Sequence, residues 1–479
     1  MYLGIDIGTS GVKAVLLHPD GHVAAQTSAA LDVQRPQPLW SEQDPAEWWR
    51  ATETAVLALP ADLRAQVGGV GLAGQMHGAT LLGADDRPLR PAILWNDGRS
   101  HAECAALEAA VPDLRAIAGN IAMPGFTAPK LAWVRAHEPQ IFAATRHVLL
   151  PKDYVRLLMT GDRVSDMSDS AGTLWLDVAR RDWSDALLAA TGLTRAHMPR
   201  LVEGSEIGGT LRAEVAARWG MARVPVAGGA GDNAAGAAGV GVVRDGDALL
   251  SLGTSGVIFV ATDTLRANPD GAVHAFCHCL PGLWHQMSVH LSAAVCLDWA
   301  AAMMHLSVPG LLAAAEAEGA GQSSELFLPY LSGERTPHND PHVRGAFLGL
   351  SHDSSAGRLA AAVLEGVAFA HADGLAALQA AGTRIESLSV IGGGARSTWW
   401  GRIIAAALNV RIDYLDGGEV GPALGAARLA QIAATGADPA TICTRPPVRE
   451  SIHPDPALAE RLAPKLARFR SAYAAIRTI

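Results

Sequence analysis

The segments Leu3–Leu17 and Ala248–Ala261 follow one pattern: an apolar run, Gly-Thr-Ser-Gly, and a second apolar run. The two copies, Gly8-Thr9-Ser10-Gly11 and Gly253-Thr254-Ser255-Gly256, are 253 − 8 = 245 residues apart, close to half of the 479-residue chain. Apolar runs flanking a Gly-rich turn predict a β-hairpin. The same hairpin at half-chain spacing predicts a duplicated fold whose halves open alike. Among 50 glycines a four-residue match recurs by chance, so the shared strand–turn–strand setting carries the argument. Strand-like and helix-like stretches alternate elsewhere, the pattern of an α/β protein, and the length calls for two to three domains.

Local signals place further elements. Asp44-Pro45 ahead of Ala46-Glu47-Trp48-Trp49 is a helix start, with Asp at the cap and Pro at the first turn. A strand is expected near Val67–Leu72 and a helix over 101–110. The Gly/Ala-rich, almost uncharged stretch 224–243 gives way to Arg244-Asp245-Gly246-Asp247. The domain boundary is therefore expected there, with domains 1–243 and 244–479.

A Gly-Thr-Ser-Gly turn has a chemical use. Glycine allows tight turns and close backbone approach, successive N–H groups form an anion nest, and two hydroxyls add donors. Two such turns facing a cleft bracket a polyphosphate; the alternative is a pair of hairpin turns without a ligand. The copies differ: Asp6 and Lys13 of the first correspond to Ser251 and Ile258 of the second. A carboxylate beside a phosphate loop needs a cation between them, making Asp6 a candidate Mg²⁺ ligand. Its alternative is a turn hydrogen bond at a strand end.

Gly228-Gly229-Ala230-Gly231-Asp232-Asn233 follows a predicted strand, Val224–Ala227, and leads into a small-residue helix. Asp232 reads as a general base or as an ordinary N-cap; the absence of bulky neighbours favours the base. Ile391-Gly392-Gly393-Gly394-Ala395 follows the predicted strand Leu388–Ile391, and its glycines suit contact with a nucleotide or a tight turn. Gly69-Val70-Gly71-Leu72-Ala73-Gly74 matches G-x-G-x-x-G but lies inside the expected strand, so it is no dinucleotide fingerprint. Cys277-His278-Cys279 is expected to be buried strand, with both sulfurs on one face, rather than a metal site.

The net charge of −9 argues against nucleic acid or an anionic membrane as partner. Five cysteines at irregular spacing do not form a disulfide framework, so a reducing cytoplasm is expected. The start Met1-Tyr2-Leu3-Gly4 lacks the features of a leader peptide. No uncharged apolar run of membrane-spanning length is visible.

Taken together, these pieces resemble the FGGY carbohydrate kinases of the actin/hexokinase/Hsp70 superfamily, along the whole chain. The resemblance implies two duplicated ribonuclease H-like (actin-like ATPase) domains around a central ATP/sugar cleft, the first mainly sugar-binding and the second mainly ATP-binding. It implies that Gly8, Thr9, Ser10, Gly253 and Thr254 hold phosphates and that Gly393, Gly394, Ala395 and Thr398 hold the rest of the nucleotide. Asp6 would serve Mg²⁺ and Asp232 would be the catalytic base. Trp40–Pro45, Ala73–Thr80, Leu94–Arg99, Pro151–Tyr154 and Leu328–Pro337 resemble the family's xylulose-phosphorylating members. That likeness implies D-xylulose as substrate, phosphorylated at O5, with Met76, His77, Asp232 and Asn233 contacting the sugar, and a homodimer. Glycerol-phosphorylating members resemble Arg-Glu at the Met76-His77 position. One departure is Ala136, where a polar residue is usual, within a family signature at Gly125–His137. The rival readings are a kinase for another ketose or polyol, and a non-catalytic ATP-switched binding module.

Overall fold

The computed structural model describes residues 1–416 and 421–477. Two seven-stranded mixed sheets form its frame. In the first, β1 (Tyr2–Ile7), β2 (Gly11–Leu17) and β3 (Val23–Ala30) form an antiparallel meander, and β4 (Gly69–Gly74) pairs in parallel with the other side of β1. β5 (Ile207–Thr210), β6 (Pro225–Ala227) and the two-residue β7 (Ala230–Gly231) complete it. β6 and β7 run parallel to β4, and β5 lies antiparallel to β6.

The second sheet contains β8 (Ala248–Leu252), β9 (Gly256–Thr262), β10 (His274–Cys277), β11 (Trp284–His290), β12 (Ser387–Ile391), β13 (Arg411–Leu415) and β14 (Val448–Ile452). Its order is β10-β11-β9-β8-β12-β13-β14. Read outward from the hairpins, β3-β2-β1-β4-β6-β5 and β11-β9-β8-β12-β13-β14 share one series of pairings: antiparallel, antiparallel, parallel, parallel, antiparallel. The duplication expected from the repeated turn is thus a duplication of sheet topology.

The local readings hold at the level of elements. α1 (Pro45–Ala58) starts at Asp44, whose carboxylate accepts from Ala46 N at 2.9 Å; α2 spans His101–Ala110. The G-x-G-x-x-G match is β4 itself, from first residue to last. α3 (Thr127–His137) carries Ala136 on its exposed side. The cysteine reading needs correction: β10 ends at Cys277, and His278 N already closes a turn onto Leu283 O at 2.9 Å. The sulfurs are therefore not neighbours on one strand face; both cysteines are nonetheless fully buried and free.

Further along come α4 (Pro151–Thr160), α5 (Asp232–Gly239), α6 (Ala356–Ala380), α7 (Thr398–Leu408) and α8 (Gly421–Thr435). By length and composition α6 could cross a membrane, yet 89% of its apolar window is buried. It is the core helix of the second half, packed with Phe327 and Trp400.

α8 does something unexpected. It comes from the second half of the sequence but lies on the first sheet, with Leu424 and Ala427 against Leu17. Contact is at backbone distance: a Cβ on Gly4 would sit 1.9 Å from Ala423 O, and one on Gly71 1.9 Å from Ala426 O. α8 also abuts α5, where a Cβ on Gly425 would meet Ala235 O at 1.8 Å. Only glycine permits such approaches. Arg428 ties this helix pair together by donating to Ala238 O at 3.0 Å.

Candidate active site

The register of the first sheet assembles the site. Asp6 and Ala230 both stand opposite Ala73, and Ile7 and Gly231 opposite Gly74. Asp6 and Asp232 thus emerge at the C-terminal ends of β1 and β7, with β4 between them. Met76 and His77 leave the end of β4. Such strand ends are where α/β sheets place their ligands.

Asp232 is not an N-cap. Gly231 holds the cap position of α5, and one carboxylate oxygen of Asp232 accepts from Asn233 N at 2.7 Å and from Asn233 Nδ2 at 2.9 Å. Burial, opposed by these bonds, raises Asp232 to about 6. Asp6 rises to about 7, chiefly through burial, then through the charge of Asp232, with Lys13 opposing. Its Oδ1 is buried without a hydrogen-bond partner among the described residues. A buried orphan carboxylate oxygen beside a second carboxylate is a donor set suited to a hard cation such as Mg²⁺.

Met76 fills the space that a Cβ on Gly231 or Gly172 would claim, with atoms 2.9 Å and 2.8 Å from those positions. His77 has φ 68, in the left-handed region. It is held there by Thr127 Oγ1 (3.1 Å) and Lys130 Nζ (2.9 Å), both donating to its carbonyl. His77 Nδ1 faces Gly172 O at 2.5 Å and so carries the proton. Burial, with the Lys130 and Arg335 charges, lowers the ring to about 3. It is neutral, with Nε2 left as an acceptor.

The two Gly-Thr-Ser-Gly turns are not equivalent. Gly8 N closes the first turn onto Gly11 O at 3.0 Å, whereas Gly253 N closes the second onto Ser255 O at 3.1 Å. These glycines shape the turns and spend their N–H groups doing so. The N–H groups of Thr9, Ser10, Thr254 and Ser255 have no partner among the described residues. The Thr9 hydroxyl is committed too: it donates to Gln75 Oε1 at 3.0 Å and accepts from Trp95 Nε1 at 2.9 Å. Gln43 locks this turn from behind, donating to Thr9 O at 2.7 Å.

Against the second turn packs the glycine run. A Cβ on Gly392 would meet Leu252 O at 2.8 Å, and one on Gly394 would meet Leu252 Cβ at 2.8 Å, whereas Gly393 faces open space. A cavity of about 340 Å³, lined by Gly392, Ala395, Arg396 and Tyr414 among others, opens beside the run. Of the four residues expected to hold the rest of the nucleotide, Ala395 is in its lining and Gly393, Gly394 and Thr398 are not; Thr398 opens α7 behind the Ser397 cap.

Charged groups that the sequence reading left without a role support the Asp232 loop. Lys152 Nζ, fully buried, sits 2.7 Å from Asp153, 2.8 Å from Asp166 and 2.9 Å from Asp169, all equally buried. Arg156 pairs with Asp153 at 2.8 Å and donates to Gly228 O. Ser168, bonded to Asp166, accepts from Gly231 N at 3.2 Å. The loop 228–231 is therefore clamped at both ends by one buried ionic cluster. Its sequence signal was the charge of Lys152-Asp153 and of Asp166-Met167-Ser168-Asp169 amid apolar neighbours.

Comparison with known proteins points the same way. Residues 1–239 match the model of the N-terminal domain of the FGGY family of carbohydrate kinases, and residues 248–434 that of its C-terminal domain. A xylulose kinase of Escherichia coli (strain K12) is 59% identical over 436 residues, covering 91% of this chain and 90% of the relative. A xylulose kinase of Klebsiella pneumoniae is 53% identical over 482 residues, covering 100% of both. Among solved structures, a xyloylose kinase from Brucella ovis superposes with a TM-score of 0.96 at 55% identity, over 100% of this chain and 99% of that one.

Proposed function

Because the chain belongs to the FGGY family of carbohydrate kinases, we propose that it transfers the γ-phosphoryl group of ATP to O5 of D-xylulose, with Asp232 as the base. The observation that carries this reading is the packing of Met76 on Gly231. It sets the Met76-His77 pair against the loop that bears the base, so that acceptor recognition and proton removal share one site. Asn233 lies beside the base and adds a polar contact.

Asp232 orients the attacking hydroxyl and accepts its proton. Phosphoryl transfer through a loose transition state depends mainly on positioning, which explains why so much buried structure is devoted to the loop 228–231. The N–H groups of Thr9, Ser10, Thr254 and Ser255 are free to meet phosphate oxygens from the two hairpins. The adenosine rests in the cavity beside Gly393–Ala395. Asp6 would hold Mg²⁺, which when bound with ATP supplies positive charge against the phosphate oxygens. The five free, buried cysteines suit a reducing cytoplasm.

ADP release measured over a panel of D-xylulose, D-ribulose, L-fuculose and glycerol tests the assignment. The kcat/KM for D-xylulose is expected to exceed the others by roughly 10-fold or more; a panel led by glycerol would overturn it. Replacing Asp6 by Asn is expected to raise the Mg²⁺ concentration needed for half-maximal activity by roughly 10-fold. A defect that excess Mg²⁺ leaves untouched would make Asp6 a purely structural residue.

A further inference from the structure

Arg335 is a charged side chain with no carboxylate within ion-pair distance among the described residues, although the charge of Glu334 favours it. It lies after β11 in Glu334-Arg335-Thr336-Pro337, part of a stretch that the sequence reading noted only for its likeness. It makes no ion pair among the described residues. The adjacent Glu334 carboxylate is spent on Leu291 N (3.0 Å), His290 Nδ1 (3.2 Å) and the backbone N of Arg335 (2.7 Å). One side-chain contact holds the guanidinium, Nη1 to His274 Nε2 at 3.3 Å.

That contact is fixed in direction by a relay. Asn120 Nδ2 donates to Ala118 O at 2.8 Å and to Ala275 O at 2.9 Å, so its Oδ1 is an acceptor. Oδ1 stands 3.0 Å from His274 Nδ1, which therefore carries the ring proton. His274 Nε2 is left with its lone pair and accepts from Arg335. Phe276 stacks on the His274 ring at 5.3 Å and fixes its plane. Burial lowers the pKa of His274, so the ring stays neutral.

Arg335 lines two adjacent cavities, which also share Trp95, Met123 and Gly125 as walls. The larger is about 350 Å³. The smaller also has His77 and His274 in its lining. Neither Gly231 nor Asp232 lines either one.

We propose that Arg335 is a sugar-contacting specificity residue, delivered to the His77 pocket by the second half of the chain and reading the C2 carbonyl of the ketose. The claim rests on the reading of the site as a ketose kinase. Arginine offers donors only, and a ketone oxygen accepts only. His77 Nε2 is an acceptor and takes a hydroxyl. A hydroxyl at C2 can also accept from Arg335, but its tetrahedral oxygen meets the planar guanidinium fork less well than a ketone oxygen, whose lone pairs lie in one plane. With one neutral hydrogen-bond partner and the nearby charge of Glu334, the guanidinium still has donors to satisfy, and a ligand oxygen takes one of them.

The test is binding of D-xylulose, of xylitol and of MgATP to the whole enzyme by calorimetry, for wild type, Arg335→Met and Arg335→Lys. Arg335→Met is expected to weaken D-xylulose by roughly 10-fold or more, to weaken xylitol far less, and to leave MgATP unchanged. Arg335→Lys, which keeps the charge but loses the fork, is expected to fall between. If Arg335→Met fails to fold, His274→Phe removes the acceptor that aims Nη1 and is expected to shift binding in the same direction. Equal losses for D-xylulose and xylitol, or a loss confined to MgATP, would overturn the proposal. A wild type that binds another ketose in place of D-xylulose would instead sink the substrate assignment; Arg335 is then judged on that ketose and its polyol.

Discussion

Asp232→Ala is expected to fold, to bind ATP and sugar, and to lose roughly 10²- to 10⁴-fold in kcat, the range that a positioned base contributes. Stability should change little, because Asp232 is no cap: Gly231 holds that position, and the bonds lost are those to Asn233 itself. Asp232→Asn keeps the shape and removes the base, so it separates positioning from proton transfer. The pH profile gives an independent readout. A base works when deprotonated, and burial places Asp232 at about 6. The kcat/KM of the wild type is therefore expected to rise with pH through about 6 and to level off above it. In Asp232→Asn the component at about 6 should be gone from the residual activity, leaving the limb of Asp6. Asp6 stands at about 7 partly through the charge of Asp232, and moves down once that charge is removed. A variant with near-normal kcat, or with an unchanged acid limb, would show that the base lies elsewhere.

Lys152→Met is expected to cost about 3–5 kcal/mol of stability, the range for breaking a buried ion pair from one side. The substitution keeps the volume of the side chain but leaves Asp153, Asp166 and Asp169 in the interior without their shared cation. Arg156 touches only Asp153 of the three and cannot replace it. Burial, joined by Asp153 and Asp166 and opposed by Lys152, already holds Asp169 well above the usual carboxylate range. Without Lys152 that opposition ends. The effect should appear as a lowered unfolding midpoint in urea. Whatever folds should also lose kcat more than sugar affinity, because the same cluster clamps Gly228 O and Gly231 N. An unchanged midpoint would mean that the cluster tolerates the loss of its centre.

The features legible in the sequence are those with a local cause. The two hairpins follow from apolar runs around Gly-Thr-Ser-Gly, α1 from Asp44-Pro45, and β4 from a run of small apolar residues. Asp232 and the Met76-His77 pair could be nominated because each sits in a distinctive short motif. The expectation for the cysteines fails for a local reason as well, since a turn at His278 ends the strand at Cys277, two residues short of Cys279, so the two sulfurs do not share a strand face.

The amino-acid order by itself determined the duplicated halves, the turns and the acidic residues of the cleft, because strand pairing with a neighbour and turn chemistry are decided within a few residues. Tertiary structure alone decided three further matters. It laid α8 on the sheet of the other half, through glycines whose fit depends on a helix some 350 to 420 residues away. It gathered Lys152, Asp166 and Asp169 into a clamp on the Asp232 loop. It also joined Asn120, His274 and Arg335, separated by 154 and 61 residues. The repeated turns already differ in sequence, Asp6 standing before the first where Ser251 precedes the second. Folding adds a second inequality: the Thr9 hydroxyl of the first turn is already bound to Gln75 and Trp95. No local pattern carries that information, because a hydrogen bond is spent or free only once its distant partner has arrived.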